Sequence, residues 1–213
     1  MDENKEKIYN ELISKYNLNP AQKEQIRYGI IDELNVSIYA KPEFTAWQME
    51  QIRLGLEQGL DISWYANSEF SYDKMREIRS GLMSNLDVSI YALPEFNWKQ
   101  MVQIREGLLD DLDVSIYATS LFNWMQMAQI RFGLEQDLQV SIYSKSEYNT
   151  EQMRQIRLGL ENNVDVSLYA NLEFNEFQME LIRLGLERNI DVSIYANPNI
   201  DWKEMQTLFE SLI

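Results

Sequence analysis

The sequence contains neither cysteine nor histidine, which excludes a disulfide framework, thiol chemistry and imidazole acid–base catalysis. Only four prolines and eight glycines occur in 213 residues, and no linker or low-complexity tract breaks the chain. Basic side chains are scarce, 19 against 34 acidic ones, for a formal charge of -15. That balance argues against direct binding to nucleic-acid phosphates or anionic lipid and makes a basic protein partner the better match. Apolar runs long enough to cross a bilayer are also missing, and the opening Met1-Asp2-Glu3-Asn4-Lys5 is polar. A soluble protein of a reducing, cytoplasmic compartment is expected, with no membrane partner.

What is present is a strict period. Gln-Ile-Arg or a close variant returns so that Arg27, Arg53, Arg79, Arg105, Arg131, Arg157 and Arg183 fall every 26 residues. In register with them run a methionine column (Met49 to Met205), a glycine column (Gly29 to Gly185) and a tyrosine column (Tyr39 to Tyr195). A fixed period of this size marks a solenoid, in which one unit cannot bury its apolar face and must stack on the next. Length then says little about domain count, and one continuous domain is expected: a capping helix over 1–19, tandem repeats over 20–200 and a capping helix over 201–213.

Within a repeat, Met101, Ile104, Leu108 and Leu112 share one stripe of a helix of about four turns and form the expected core. Its start is signalled by Asn97 with Gln100, a capping box repeated as Thr45/Gln48, Asn123/Gln126, Asn149/Gln152, Asn175/Gln178 and Asp201/Glu204, with Ser71/Lys74 departing. Its stop is signalled by Gly59, Asn85, Asp111, Asp137, Asn163 and Asn189, residues tolerant of the left-handed backbone. The following Asp-Val-Ser-Ile-Tyr-Ala reads as a second, short helix capped by Asp61, Asp87, Asp113, Asp165 or Asp191, although Val-Ser-Ile-Tyr also has strand character. The fold expected is a right-handed, all-α solenoid of helix–short helix repeats; the alternative is an α/β horseshoe with one strand per repeat. An aromatic residue (Phe44, Phe70, Phe96, Phe122, Tyr148, Phe174) precedes each next cap, like a hydrophobic staple.

No singular constellation supports catalysis, because the carboxylates recur identically along the chain and no metal-ligand spacing appears; no enzyme activity, metal or cofactor is expected. The arginine column reads as a structural ladder, pairing between repeats with turn acids such as Glu43, Glu69, Glu95, Glu147 and Glu173 or with the Asp caps. The isolated glycines read as points of close helix approach, not as a phosphate loop. Glu57, Asp110, Asp111, Glu135, Glu161 and Glu187 are left as free acidic surface, which could imitate the charge of duplex DNA. Positions that vary between copies carry specificity in repeat proteins. Here they hold Trp98, Val102, Trp124, Met125, Ala128 and Phe132, a contact group for a protein partner or a second copy; Trp47 with Leu54 and Phe177 with Leu184 occupy the same columns.

The unit seen as Gln100-Met101-Val102-Gln103-Ile104-Arg105-Glu106-Gly107-Leu108, followed by Leu-Asp-Val-Ser-Ile-Tyr-Ala and Pro-Glu-Phe, resembles tandem repeats in proteins of bacterial mobile elements and phages. The resemblance covers the chain from Ala21 onward and brings no functional residues to carry over. It implies a genomic setting in which small acidic proteins block host defence. The expectation is therefore a non-enzymatic protein binder, in its sharper form an inhibitor of a DNA-binding nuclease of the CRISPR or restriction type, with a self-associating scaffold as the alternative.

Overall fold

Each long helix begins where the sequence places a cap. Asn19, Thr45, Asn123, Asn149 and Asn175 accept the backbone N–H three residues on, and the glutamine there returns a bond to the cap's own N–H. Asn97 and Gln100 exchange the same two bonds. Asp201 departs from expectation: it caps through the N–H of Lys203, and Glu204 closes no box. Every helix between the first and the last ends where a residue turns left-handed, and six of the seven such positions are the anticipated Gly59, Asn85, Asp111, Asp137, Asn163 and Asn189. The seventh, Glu33, has no short side chain to favour that conformation.

The computed structural model describes residues 1–213 as an all-helical chain in two compact units, Met1–Leu109 and Asp110–Ile213. The first holds α1 (Glu3–Lys15), α2 (Pro20–Ile31), α3 (Ala46–Glu57), α4 (Tyr72–Met83) and α5 (Trp98–Leu109), each packed on the next. The second holds α6 (Trp124–Leu134), α7 (Thr150–Glu161), α8 (Glu176–Glu187) and α9 (Trp202–Glu210), likewise packed in sequence. Both units are stacks of helical repeats, and no helix is long and apolar enough to cross a membrane. A full helix is typically 12 residues, somewhat over three turns, because the left-handed residue stops it earlier than the apolar stripe suggests.

The second element of each repeat is a three-residue 3-10 turn and not a strand: Val36–Ile38, Ile62–Trp64, Val88–Ile90, Val114–Ile116, Val140–Ile142, Val166–Leu168 and Val192–Ile194. Its Val/Ile and the Tyr three residues later both point inward, and a strand would send them to opposite faces. Asp61, Asp87, Asp113, Asp165 and Asp191 each accept the N–H of the serine two residues on, as anticipated for caps.

The core is narrower than the predicted stripe. The Met and Ile columns are fully buried, but Leu108 and Leu112 are only half-buried. The space they were expected to fill is taken in each repeat by the tyrosine, whose ring lies over the glycine of its own helix. Tyr65 shows the arrangement: its hydroxyl donates to the Gln51 carbonyl at 3.2 Å, and a Cβ added at Gly55 would lie 1.8 Å from that oxygen. The glycine column is thus the imprint of a side chain, which refines the expectation of close helix approach.

Candidate protein-interaction surface

The periodic polar residues are spent on stacking. Arg53 Nε donates to Gln25 Oε1 at 3.0 Å, Arg79 to Gln51 at 2.9 Å and Arg105 to Glu77 at 3.1 Å; in the second unit Arg157 meets Gln129 at 3.0 Å and Arg183 meets Gln155 at 2.8 Å. Each rung spans 28 residues, so Gln-Ile-Arg is self-complementary between copies: its Gln receives the next Arg while its Ile fills the core. The ladder therefore pairs between repeats, but not with the turn acids. Glu43, Glu69, Glu95, Glu147 and Glu173 stay exposed, and the Asp caps bond their own serines. Arg27, the first of the series, is exposed. The pair of positions that would form the last rung holds Leu181 and Phe209, apolar in place of both partners.

The remaining guanidinium nitrogens answer the question of the free acids. Glu57, Glu135, Glu161 and Glu187 are ion-paired with Arg53, Arg131, Arg157 and Arg183 four residues earlier, so they are not the unengaged surface expected of them. The Arg-Leu-Gly-Leu-Glu spelling carried that signal, since residues four apart share a helix face. Asp110 and Asp111 are exposed, and Asp111 owes its place to the left-handed backbone.

A second stitch joins the helix starts. Gln48 Nε2 donates to the Phe70 carbonyl at 2.6 Å, Gln126 to Tyr148 at 2.7 Å and Gln152 to Phe174 at 2.8 Å, while Lys74, the departure from the box, reaches Pro94 O at 2.7 Å. The aromatic before each cap is buried, and its carbonyl is what the previous glutamine holds. No buried side-chain polar atom lacks a hydrogen-bond partner. The ladder and this stitch leave no buried polar atom over for a ligand.

The variable positions divide differently from expectation. On α5, Trp98 is exposed and Val102, one turn on, is half-buried. On α6, Met125 is exposed and Trp124 half-buried, but Ala128 is buried, with 8% of its surface accessible. Phe132 is half-buried, with the guanidinium of Arg131 4.7 Å and that of Arg157 5.7 Å from its ring centre. It does what Tyr28 does under Arg53 in the first unit, so its ring also serves the stacking. Residues outside the expected group are more prominent. Trp47 is 65% exposed beside the edge of Tyr72, and Leu121, standing where other copies have Glu, is 73% exposed. Phe177 stacks on Trp202 at 5.2 Å. These side chains sit at or just before the helix N-termini, so each unit displays an apolar edge there.

Fold and site together define an all-α tandem-repeat protein. The chain matches no protein-family model, and neither curated proteins nor solved structures give a match.

Proposed function

We propose that this chain is a non-enzymatic repeat scaffold that binds another protein through the helix-N-terminal edge, and that its acidity selects a basic, nucleic-acid-binding partner whose DNA site it blocks. The observation that carries the reading is the contrast between columns: the repeated Gln–Arg rungs and the helix-start glutamines are engaged in stacking, while Trp47, Leu121, Met125 and Phe177 are left in solvent. Exposed aromatics and Met in that setting are the composition of protein interfaces. The formal charge of -15 supplies complementarity to a partner built to hold phosphates.

The test is competition. A partner captured from the source lysate at low salt is purified, and labelled duplex DNA is titrated onto it with and without this chain. Displacement of the DNA, lost in Leu121→Ser with Met125→Ser, is the expected result; a partner that holds DNA and this chain together refutes the inhibitor reading. The stacked Phe177 and Trp202 also suit a second copy. Sedimentation that shows concentration-dependent oligomers, abolished by Phe177→Ala, would move the function to self-assembly.

A further inference from the structure

The 3-10 turns form a second edge that stacking does not consume. In Asp165-Val166-Ser167-Leu168-Tyr169 the Val and Tyr face the core, and the other three face out. The next copy, Asp191-Val192-Ser193-Ile194-Tyr195, repeats the arrangement, and Leu168 and Ile194 are 45% and 53% exposed. Between these two turns runs a groove lined by Leu168, Leu186, Ile190, Asp191, Ser193 and Ala196. Ser167 occupies one carboxylate oxygen of Asp165 through both its N–H and its hydroxyl, and Ser193 N–H binds one oxygen of Asp191, so each aspartate is fixed in orientation while remaining exposed. The Ser193 bonds also hold the Asp191 carboxyl below its ordinary range. The cation of this loop, Arg188, is turned onto the ring of Phe209, 5.3 Å from its centre.

An aliphatic floor with an anionic rim, one of each at these two turns, fits an apolar side chain next to a cation. Packed helices lie about 8–10 Å apart, and a polyproline II segment advances about 9 Å in its three-residue turn. The same side chain of such a segment therefore returns at each successive repeat. We propose that the 3-10 edge of the second unit binds an extended basic segment of another protein, with an aliphatic residue at every third position and Lys or Arg beside it. The first unit sets Asp61 beside the exposed Trp64 and Asp87 beside the half-buried Ile90. This edge is separate from the aromatic one, and shares with the proposed function only the premise that the chain binds protein.

A fluorescein-labelled peptide of three Leu-Lys-Pro triplets is titrated onto the full chain and followed by anisotropy. Saturable binding is expected, with no binding of the Leu-Glu-Pro counterpart. Asp165→Asn with Asp191→Asn keeps both caps, since Asn accepts the same bonds, and removes the charge; affinity should fall about tenfold at low salt, with the difference lost at high salt. Leu168→Ser with Ile194→Ser should weaken binding at both salt concentrations, whereas Phe177→Ala should leave it unchanged. Circular dichroism checks that every variant keeps its helices. Absence of saturable binding, equal binding of the acidic peptide, or indifference to the Asn pair would overturn the proposal.

Discussion

Gly81 and Tyr91 provide the sharpest test of how a repeat closes on itself. Gly81 lies in α4, and a Cβ built there would stand 1.8 Å from the Tyr91 hydroxyl oxygen. That hydroxyl is fixed, because the ring is fully buried and the O–H donates to the Glu77 carbonyl at 3.3 Å. Gly81→Ala should gain about 1 kcal/mol of helix propensity but lose more, since overpacking costs about 1–3 kcal/mol and the displaced hydrogen bond about 1 kcal/mol. A net destabilisation of about 2 kcal/mol is expected. Tyr91→Phe alone should cost about 1 kcal/mol, the ordinary net value of one such bond. In the double variant the methyl meets only the ring's Cζ and Val88 Cγ1, both at 3.1 Å, side-chain atoms that need to move a few tenths of an ångström. Its cost should be about 1 kcal/mol, well short of the additive sum of about 3 kcal/mol, for a coupling of about 2 kcal/mol. Urea unfolding followed by far-ultraviolet circular dichroism measures all four proteins, with equal m-values as the condition for comparison. Additive costs would refute the account of the glycine column as the imprint of the tyrosine hydroxyl.

Arg183→Ala should destabilise the second unit by about 2–3 kcal/mol, because it strips the buried amide oxygen of Gln155 of its donor and takes the cation from Glu187, which keeps only Asn162; Lys at 183 should not restore the loss. Arg154→Ala, which breaks an exposed pair with Glu151, should cost less than about 0.5 kcal/mol in the same melts, and equal losses would dismiss the ladder as a stabilising element. Burial pushes the phenols of Tyr39, Tyr65, Tyr91, Tyr117, Tyr143 and Tyr169 far above the ordinary 10.0, and that of Tyr195 up to about 12. The folded state thus favours the neutral form: this stability is complete below pH 10 and is lost as pH rises, by about 1.4 kcal/mol per phenol per pH unit. Summed over the column, that loss reaches the whole stability of a typical domain, about 5–15 kcal/mol, roughly one unit above pH 10. A phenolate absorbance titration should therefore show these tyrosines ionising together with the loss of helix near pH 11, and their ionisation near pH 10 with helices intact would contradict the burial described.

How far the sequence carries the reader depends on whether a contact is local or between copies. Caps and stops are local, which is why Asn97 with Gln100 and Asn85 could be assigned from their neighbours alone; Glu33 escaped because no local preference marks it. The 3-10 turn was ambiguous for the same reason in reverse: Val-Ser-Ile-Tyr has strand propensity, and only the inward pull on both Val88 and Tyr91 selects the tighter helix. The arginine rungs are the harder case. From Arg79 the sequence offers acids in the preceding turn and cap, yet its partner is Gln51, brought beside it by helix stacking. The clue lay in paired departures: Glu77 replaces Gln and answers Arg105 with an ion pair, while Leu181 coincides with Phe209 where an arginine would have met it. A period therefore announces that copies stack, whereas the exceptions to it tell which positions touch. The same logic applies to the variable positions. Phe132 varies between copies yet serves stacking, and Leu121, where other copies have Glu, is the most exposed large apolar side chain. Variation marks freedom from the repeat's own packing only where the backbone turns that position outward, and that orientation is a property of the stack, not of any single copy.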